Sequence, residues 1–402
     1  MQVPLAARRM LELARGGRLL LAVGALGLFA RLVLSWFVVG TNDALTWQDF
    51  AQGVEREGVS WMYAHVRDFN HPPLMGYLAA FALETSRAVQ LPFFFVFRLP
   101  VLLAEVASAL VLYRVWKRLD GRTAALAWAL YGWNPDSLLV SAYHTNTDAL
   151  CAMLCLLACY AWEGKRPVGA GLALGAAINV KLIPVLLVPV FLVRVSGWKG
   201  LARFGGALAA GALPFAPFLL SDWRSFHRNA LAYNSNFDNW GLPLFVREAL
   251  LSERLRPFAH SAQSILEGGG RYAVLAAAIA LAVWCWRRGV NTYVASSLVM
   301  AAFLVLTPGF GVQYTVYAVP VLFASSLRWG ALYAVASGLF VALVYYLFWT
   351  GSVPLQSAFT TPFPRPSPLL GLFAWAILVW FVVSRLRSPD ADLNREGAMD
   401  AR

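Results

Sequence analysis

The sequence predicts an all-α integral membrane protein of about 12 transmembrane helices with an amphipathic first extracytoplasmic loop. Of its 402 residues, 59% are hydrophobic and 13% charged, where a soluble chain carries about 25% charged residues. The apolar residues form blocks long enough for helices that cross a bilayer core of about 30 Å. The charged set splits into 33 Lys and Arg against 21 Asp and Glu, a net +12, and its cations gather in short clusters between the blocks. Such an excess would suggest nucleic acid in a soluble protein. Here it reads as the cytoplasmic bias of Lys and Arg in membrane proteins, and no nucleic-acid partner is expected.

The basic N-terminus, 1 to 18, carries Arg8, Arg9, Arg15 and Arg18. The apolar stretch after it is too long for a signal-peptide core and lacks a small-residue cleavage site, so it reads as an uncleaved first span. Candidate spans are 19–39, 97–116, 123–142, 148–163, 168–180, 182–194, 203–220, 271–286, 291–307, 312–327, 329–350 and 367–384. The pair around Lys181 resembles two half-length helices, tolerable where they line a protein or water cavity. Residues 73–92 are moderately apolar but carry Glu84 and Arg87. Counted as a span, they would put Lys117, Arg118 and Arg122 outside; read as an interfacial helix, they restore the alternation. Both termini are then cytoplasmic, 19–384 forms a single membrane domain, and 385–402 is a mixed-charge tail expected to be disordered. The inner segments account for the whole +12. The outer stretch 40–95 holds six acids against three arginines.

Two outer segments, 40–95 and 221–270, are too long for connectors, and long loops in compact proteins usually carry function. A third, 351–366, is rich in Pro and Thr. No internal repeat is visible. Cys151, Cys155 and Cys159 form one helical stripe and Cys285 stands alone, which reads as buried small hydrophobes.

Ionisable groups near the membrane are the first functional candidates, because leaving them unpaired is costly. Asp43 lies just beyond the first span and Asp49 six residues later. A carboxylate held beside a water-accessible cavity can act as a general base; the alternative is a solvated loop acid. His71, in NHPPL, sits in a turn fixed by two prolines and reads either as a group that orients an acid or binds phosphate, or as a structural part of that turn. WNPDSLLVSAYHTNTDAL gathers Asp136, His144, Asn146 and Asp148 at an outer helix boundary. Asn146 or Asp148 can be a helix cap, and His144 with Asp148 supplies only two ligands, which do not make a metal site; no metal or cofactor is expected. Lys181, alone in more than 20 apolar residues, needs an anion that a lipid-linked phosphate would supply, or else snorkels to the interface. Arg98, at the start of the second span, is a similar case. AYNSNFDNWGLPLF concentrates Tyr233 and Trp240 among amides, groups suited to a sugar's hydroxyls and apolar face or to an interfacial aromatic belt. Gln313 and Tyr314 form a polar pair at the outer entrance of the tenth span. No P-loop, GxSxG or HExxH pattern occurs.

In order and spacing these blocks resemble membrane glycosyltransferases of the GT-C fold. Residues 43 to about 195 are similar to the dolichyl-phosphate-glucose-dependent glucosyltransferases and to the catalytic subunit of the mannosyltransferase that adds the first mannose of GPI anchors. The matching pieces are Asp43, HPPL at 71–74, NP at 134–135, YHTNTD at 143–148, INVKLIP at 178–184 and QY at 313–314. The resemblance implies a polyprenyl-phosphate donor of mannose or glucose, and a lipid, glycan or protein acceptor. It implies Asp43 as the catalytic base, and Asp49, His71, Arg98, His144, Asn146, Asp148, Lys181, Tyr233, Trp240, Gln313 and Tyr314 as substrate-binding candidates. The donor phosphate is expected near Lys181, with Arg98 or His71 as further partners, and transfer is expected to invert the anomeric centre. The mannosyltransferase pattern has two acids one residue apart; Thr41 replaces the first here, which speaks against a paired-acid metal site. A monophosphate leaving group paired with Lys or Arg does not demand a divalent ion.

The rival class is a transporter or flippase of a lipid-linked or free sugar, which twelve spans suit. Against it stand the long outer loops, the absence of repeated halves, and polar groups at one face instead of mid-membrane. A non-catalytic assembly subunit would leave the clustered outer acids unexplained. An Ala-, Arg- and Leu-heavy composition favours a bacterial plasma membrane, with the endoplasmic reticulum expected if the source is eukaryotic.

Overall fold

Proline, glycine and capping side chains divide the apolar chain into shorter pieces than hydropathy alone suggests. A computed structural model describes residues 5–232, 235, 240–347 and 367–388. Among these, regular structure is helical. The helices are α1 Leu5–Phe37, α2 Asn42–Glu57, α3 Val59–His65, α4 Pro73–Val89, α5 Phe93–Trp116, α6 Gly121–Gly132, α7 Pro135–Ala142, α8 Asp148–Glu163 and α9 Pro167–Val180. After a 3-10 turn, Ile183–Leu187, come α10 Val188–Leu192, α11 Gly197–Ala212, α12 Ala216–Ser221, α13 Trp223–Phe226, α14 Gly241–Leu250, α15 Arg256–Arg287 and α16 Thr292–Leu306. A second 3-10 turn, Val312–Tyr317, precedes α17 Val319–Ser325, α18 Leu327–Leu347 and α19 Ser367–Arg387.

Five helical stretches among the described residues are long and apolar enough to cross a membrane: Gly16–Phe37, Phe93–Trp116, Gly197–Leu220, Arg256–Arg287 and Leu327–Tyr345. Shorter apolar helices occupy Pro167–Val180, Ile183–Leu192, Thr292–Leu306 and Val312–Ser325. The chain is therefore a multi-pass membrane protein. Several expected spans are corrected in detail. The 123–142 block is two helices, because Pro135 has no N–H and holds Asn134 extended, at φ −58° and ψ 113°. The 312–327 block is a 3-10 turn followed by a short helix that starts around Pro320. The described part of 221–270 is largely helical: α15 begins at Arg256, with Pro257 in its first turn, well before the expected 271. The stretch 351–366, the tail from 389 and Tyr233 lie outside the described residues.

Residues 40–95 fold into α2, α3 and α4. α4 starts on Pro72–Pro73 and buries Met75, Ala79, Ala82 and Leu83 while exposing Leu74, Tyr77, Phe81 and Val89, the distribution of a helix lying at a lipid boundary. The centre of the bundle is α16, buried on all sides from Thr292 to Leu304, as a helix apolar all round requires. Around it pack α8, α15, α17 and α19. α9, which leads to Lys181, is clamped on α11 at a glycine contact: a Cβ on Gly175 would meet the Leu208 carbonyl oxygen at 2.6 Å and the Gly211 Cα at 2.8 Å, so only small residues permit the approach. Asn179 ties the same pair, donating to the Gly211 carbonyl at 2.5 Å.

Candidate active site

The first span must end so that Asp43 meets the 143–148 segment, and Arg98 makes it do so. The fully buried Arg98 guanidinium donates to the carbonyls of Ser35 (3.0 Å), Val38 (2.6 Å) and Val39 (2.6 Å) at the C-terminus of α1, to Tyr143 (3.1 Å), and to the Thr145 hydroxyl. These are the orphan carbonyls every helix end leaves. Gly40 turns the chain there at φ +109°; a Cβ on it would run into Arg98, Thr145 and the Tyr143 carbonyl. Arg98, expected on a donor phosphate, does not line the cavity and instead holds the walls of the site together.

Thr41 then caps α2, its hydroxyl accepting the Asp43 N–H at 3.3 Å, and sends α2 along a cavity of about 860 Å³. Asp43, Thr46, Trp47 and Phe50 of α2 line it, together with Asp68, Asn70, His71, His144, Asn146, Lys181, Gln313 and Tyr314. An apolar wall comes from Ile183, Val185 and Leu186 of the 3-10 turn, Val274 and Leu275 of α15, and Phe303. Arg271 and Tyr272, halfway along α15, line it as well.

One carboxyl oxygen of Asp43, Oδ2, lies 3.2 Å from His144 Nε2 and accepts from Asn146 Nδ2 at 2.8 Å. Burial pushes the Asp43 carboxyl up, but His144, Asn146 and Lys181 outweigh it and hold the group below the ordinary carboxylate range. Lys181 pairs with the buried Asp148 at 3.2 Å to Oδ1 and 3.3 Å to Oδ2, and stands 5.4 Å from the centre of the Tyr314 ring. The Tyr317 hydroxyl donates to Asp148. His71, packed on Trp47 at 4.3 Å with its carbonyl accepting from Tyr63, is pushed down to about 3 by burial and by Lys181. It therefore acts as a neutral imidazole at working pH.

Asp43, His71, His144, Asn146, Lys181, Gln313 and Tyr314 thus share one cavity, with Asp148 directly behind Lys181. Asn146 and Asp148 do not cap α8: no side-chain hydrogen bond closes its first turn, and both carry the site's polar contacts instead. Asp49 does not line the cavity. It lies six residues on from Asp43, about 120° away around a helix of 3.6 residues per turn, and is exposed. Trp240 is also elsewhere: it is buried, stacked on Phe310 at 4.4 Å, and donates to the Leu304 carbonyl at 2.7 Å. Sequence reasoning missed Arg271, visible only as a cation at the outer end of a span, and Tyr317 and Tyr345, which sit in apolar runs and carry no signal. Among the described residues no three His, Cys, Asp or Glu side chains gather as a metal site would require.

A multi-pass helical bundle with carboxylates, amides and a paired lysine in one partly apolar cavity has the form of a membrane glycosyltransferase of the GT-C type. The chain belongs to glycosyltransferase family 87, whose family model matches residues 69–308. That stretch includes His71, Arg98, His144, Asn146, Asp148 and Lys181, while Asp43 precedes it. No curated protein matches the chain. Family membership decides for an enzyme over a transporter.

Proposed function

We propose that the enzyme transfers a hexose, mannose or glucose, from a polyprenyl-phosphate donor to an acceptor hydroxyl on the extracytoplasmic side, with inversion and with Asp43 as the base. The observation that carries this reading is that Asp43 and Lys181 line the same cavity, one able to take a proton and the other to face an anion. A volume of about 860 Å³ lies near the upper end of small-molecule pockets, about 300–1,000 Å³, which suits a donor sugar and an acceptor together. The acceptor oxygen gives its proton to Asp43 and attacks the anomeric carbon. The bond from that carbon to the phosphate oxygen breaks, and the polyprenyl phosphate leaves with the electron pair. Holding both substrates in one cavity supplies orientation, and fixed cations stabilise the charge that develops on the phosphate.

Lys181 already faces Asp148, so a phosphate that binds beside it needs more positive charge. Among the described residues Arg271 is the other cation that lines the cavity, and the apolar wall between the 3-10 turn and α15 suits the first prenyl units. His71, neutral, offers a hydrogen bond and not a charge. In this reading 19–384 is one membrane domain in a plasma membrane, with 1–18 and 385–402 cytoplasmic. The test is reconstitution in proteoliposomes with polyprenyl-phosphate mannose or glucose and candidate acceptors, following release of free polyprenyl phosphate. Release that depends on acceptor supports the reading; transfer from a nucleotide sugar and not from either lipid donor refutes it.

A further inference from the structure

Beyond the base itself, the site contains a buried chain of polar contacts that ends on it. His144 Nδ1 lies 3.0 Å from Thr41 Oγ1, and its Nε2 lies 3.2 Å from Asp43 Oδ2. The Thr41 hydroxyl is also 2.9 Å from the His144 carbonyl oxygen and accepts the Asp43 N–H. Thr41 is fully buried and His144 only 5% exposed, and the imidazole is stacked on Tyr345, 5.4 Å between ring centres at 12°. The ring therefore has one orientation, in which each nitrogen faces a fixed partner.

The protons on this chain can be counted. Thr41 has one hydroxyl proton and two acceptors for it, the His144 carbonyl and Nδ1. When it goes to Nδ1, His144 carries its proton on Nε2 and donates to Asp43. When it goes to the carbonyl, Nδ1 must donate to Thr41, and the contact between Nε2 and Asp43 requires a second proton on the pair. Asp43 Oδ2 accepts from Asn146 and is in contact with His144 Nε2 at 3.2 Å, so both neighbours hold the carboxyl by the same oxygen.

We infer that His144, oriented by Thr41, is a positioning residue that holds Asp43 by Oδ2 and turns Oδ1 toward the acceptor hydroxyl. This inference rests on the assignment of Asp43 as the base. It gives Thr41 a role beyond capping α2, and it makes the working base a hydrogen-bonded pair instead of an isolated carboxylate. Fixed orientation of this kind by a neighbour of the reacting group is worth about 10–100-fold where it has been measured in metal sites.

The test uses the full-length enzyme in proteoliposomes and compares His144→Phe, His144→Gln, Thr41→Val, Thr41→Ser and Asp43→Asn. Phe keeps a ring against Tyr345 but removes both nitrogens; Gln keeps one donor and serves if Phe does not fold. The expected result is a fall in kcat of about 10–100-fold for His144→Phe, a smaller one for His144→Gln, and donor KM within about threefold of wild type. Thr41→Val should fall further than Thr41→Ser, which keeps the hydroxyl. The acid limb of kcat/KM should move to higher pH in His144→Phe, since the ring no longer holds Asp43 down. Lys181, His71 and Tyr345 also act on or feel the Asp43 charge, with Asp148 behind Lys181, and all stay in place, so the shift reports His144. Folded His144 variants with wild-type kcat and an unmoved limb, or with a raised KM alone, overturn the inference. If Asp43→Asn is inactive in that case, the base assignment survives; if Asp43→Asn turns over normally, that assignment fails instead.

Discussion

Replacing Lys181 separates what that residue does for the fold from what it does for the donor. Its side chain is 14% exposed and that of Asp148 0%, with the charged groups 3.2 Å apart. At that distance and an effective dielectric of about 20, the pair attracts by about 5 kcal/mol, and deleting one partner of a buried pair typically costs about 3–5 kcal/mol. Tyr317 still donates to Asp148 after the change, so Lys181→Met is expected to destabilise by about 3 kcal/mol, the lower end. Removing both charges in Lys181→Met/Asp148→Asn should restore most of this, because a neutral buried pair has no stranded charge. Donor KM should not return, since the lost hydrogen bond to a charged phosphate is worth about 1.5–3 kcal/mol, or roughly a ten- to hundredfold rise in donor KM. Thermal unfolding in detergent and steady-state kinetics in proteoliposomes read the two quantities. A double variant that recovers both stability and donor KM would show that Lys181 serves only Asp148. A single variant as stable as wild type would refute the buried-pair argument.

Three further outcomes follow from the same geometry. The Asp43 carboxyl is held below its ordinary range, so its charge, and the stability linked to it, are fully present above the ordinary aspartate pKa of about 3.9 and are lost as pH falls through the depressed one; a pH–rate profile should show no limb from Asp43 between about pH 5 and 8. Gly40→Ala, forced to φ +109° against Arg98 and Tyr143, should lose at least about 1–3 kcal/mol in thermal unfolding, whereas Gly206→Ala, with nothing within 4 Å, should not. Arg271→Ala, at an exposed position, should raise donor KM by about tenfold with an unchanged unfolding midpoint, consistent with loss of one charge-assisted contact.

The class of fold was legible because composition and block length alone force a chain like this into a bilayer. Polar residues at the ends of apolar blocks were legible too: Asp43, His71, His144, Asn146, Lys181, Gln313 and Tyr314 stood out against apolar neighbours and meet in one cavity. What each touches was not. Arg98 looked like a cation in search of an anion, yet its partners are backbone carbonyls at a helix end, which no side-chain pattern records. Asp148 looked like a cap, and only the return of α9 beside α8 puts Lys181 against it. Trp240 and Asp49 carried the right chemistry on the wrong faces. Tyr345 and Tyr317 were invisible because an aromatic residue in an apolar run reads as core whether or not its ring or hydroxyl serves a site. The break at Asn134–Pro135 was present in the sequence, but continuous hydropathy across it concealed the two helices.

The central claim is that Asp43 takes the acceptor's proton during transfer from a polyprenyl-phosphate sugar. The most direct measurement is single-turnover transfer by wild type and Asp43→Asn at saturating lipid donor, with the anomeric configuration of the product determined. Asn keeps the size of the side chain and a carbonyl oxygen for Asn146, so donor binding should match wild type, while the unfolding midpoint should fall only by the stability linked to the Asp43 charge. The rate of polyprenyl phosphate release should fall by at least about 100-fold, the lower range for a lost general base, and the wild-type product should have inverted configuration. Near-wild-type release by Asp43→Asn, or a product with retained configuration, would contradict the account.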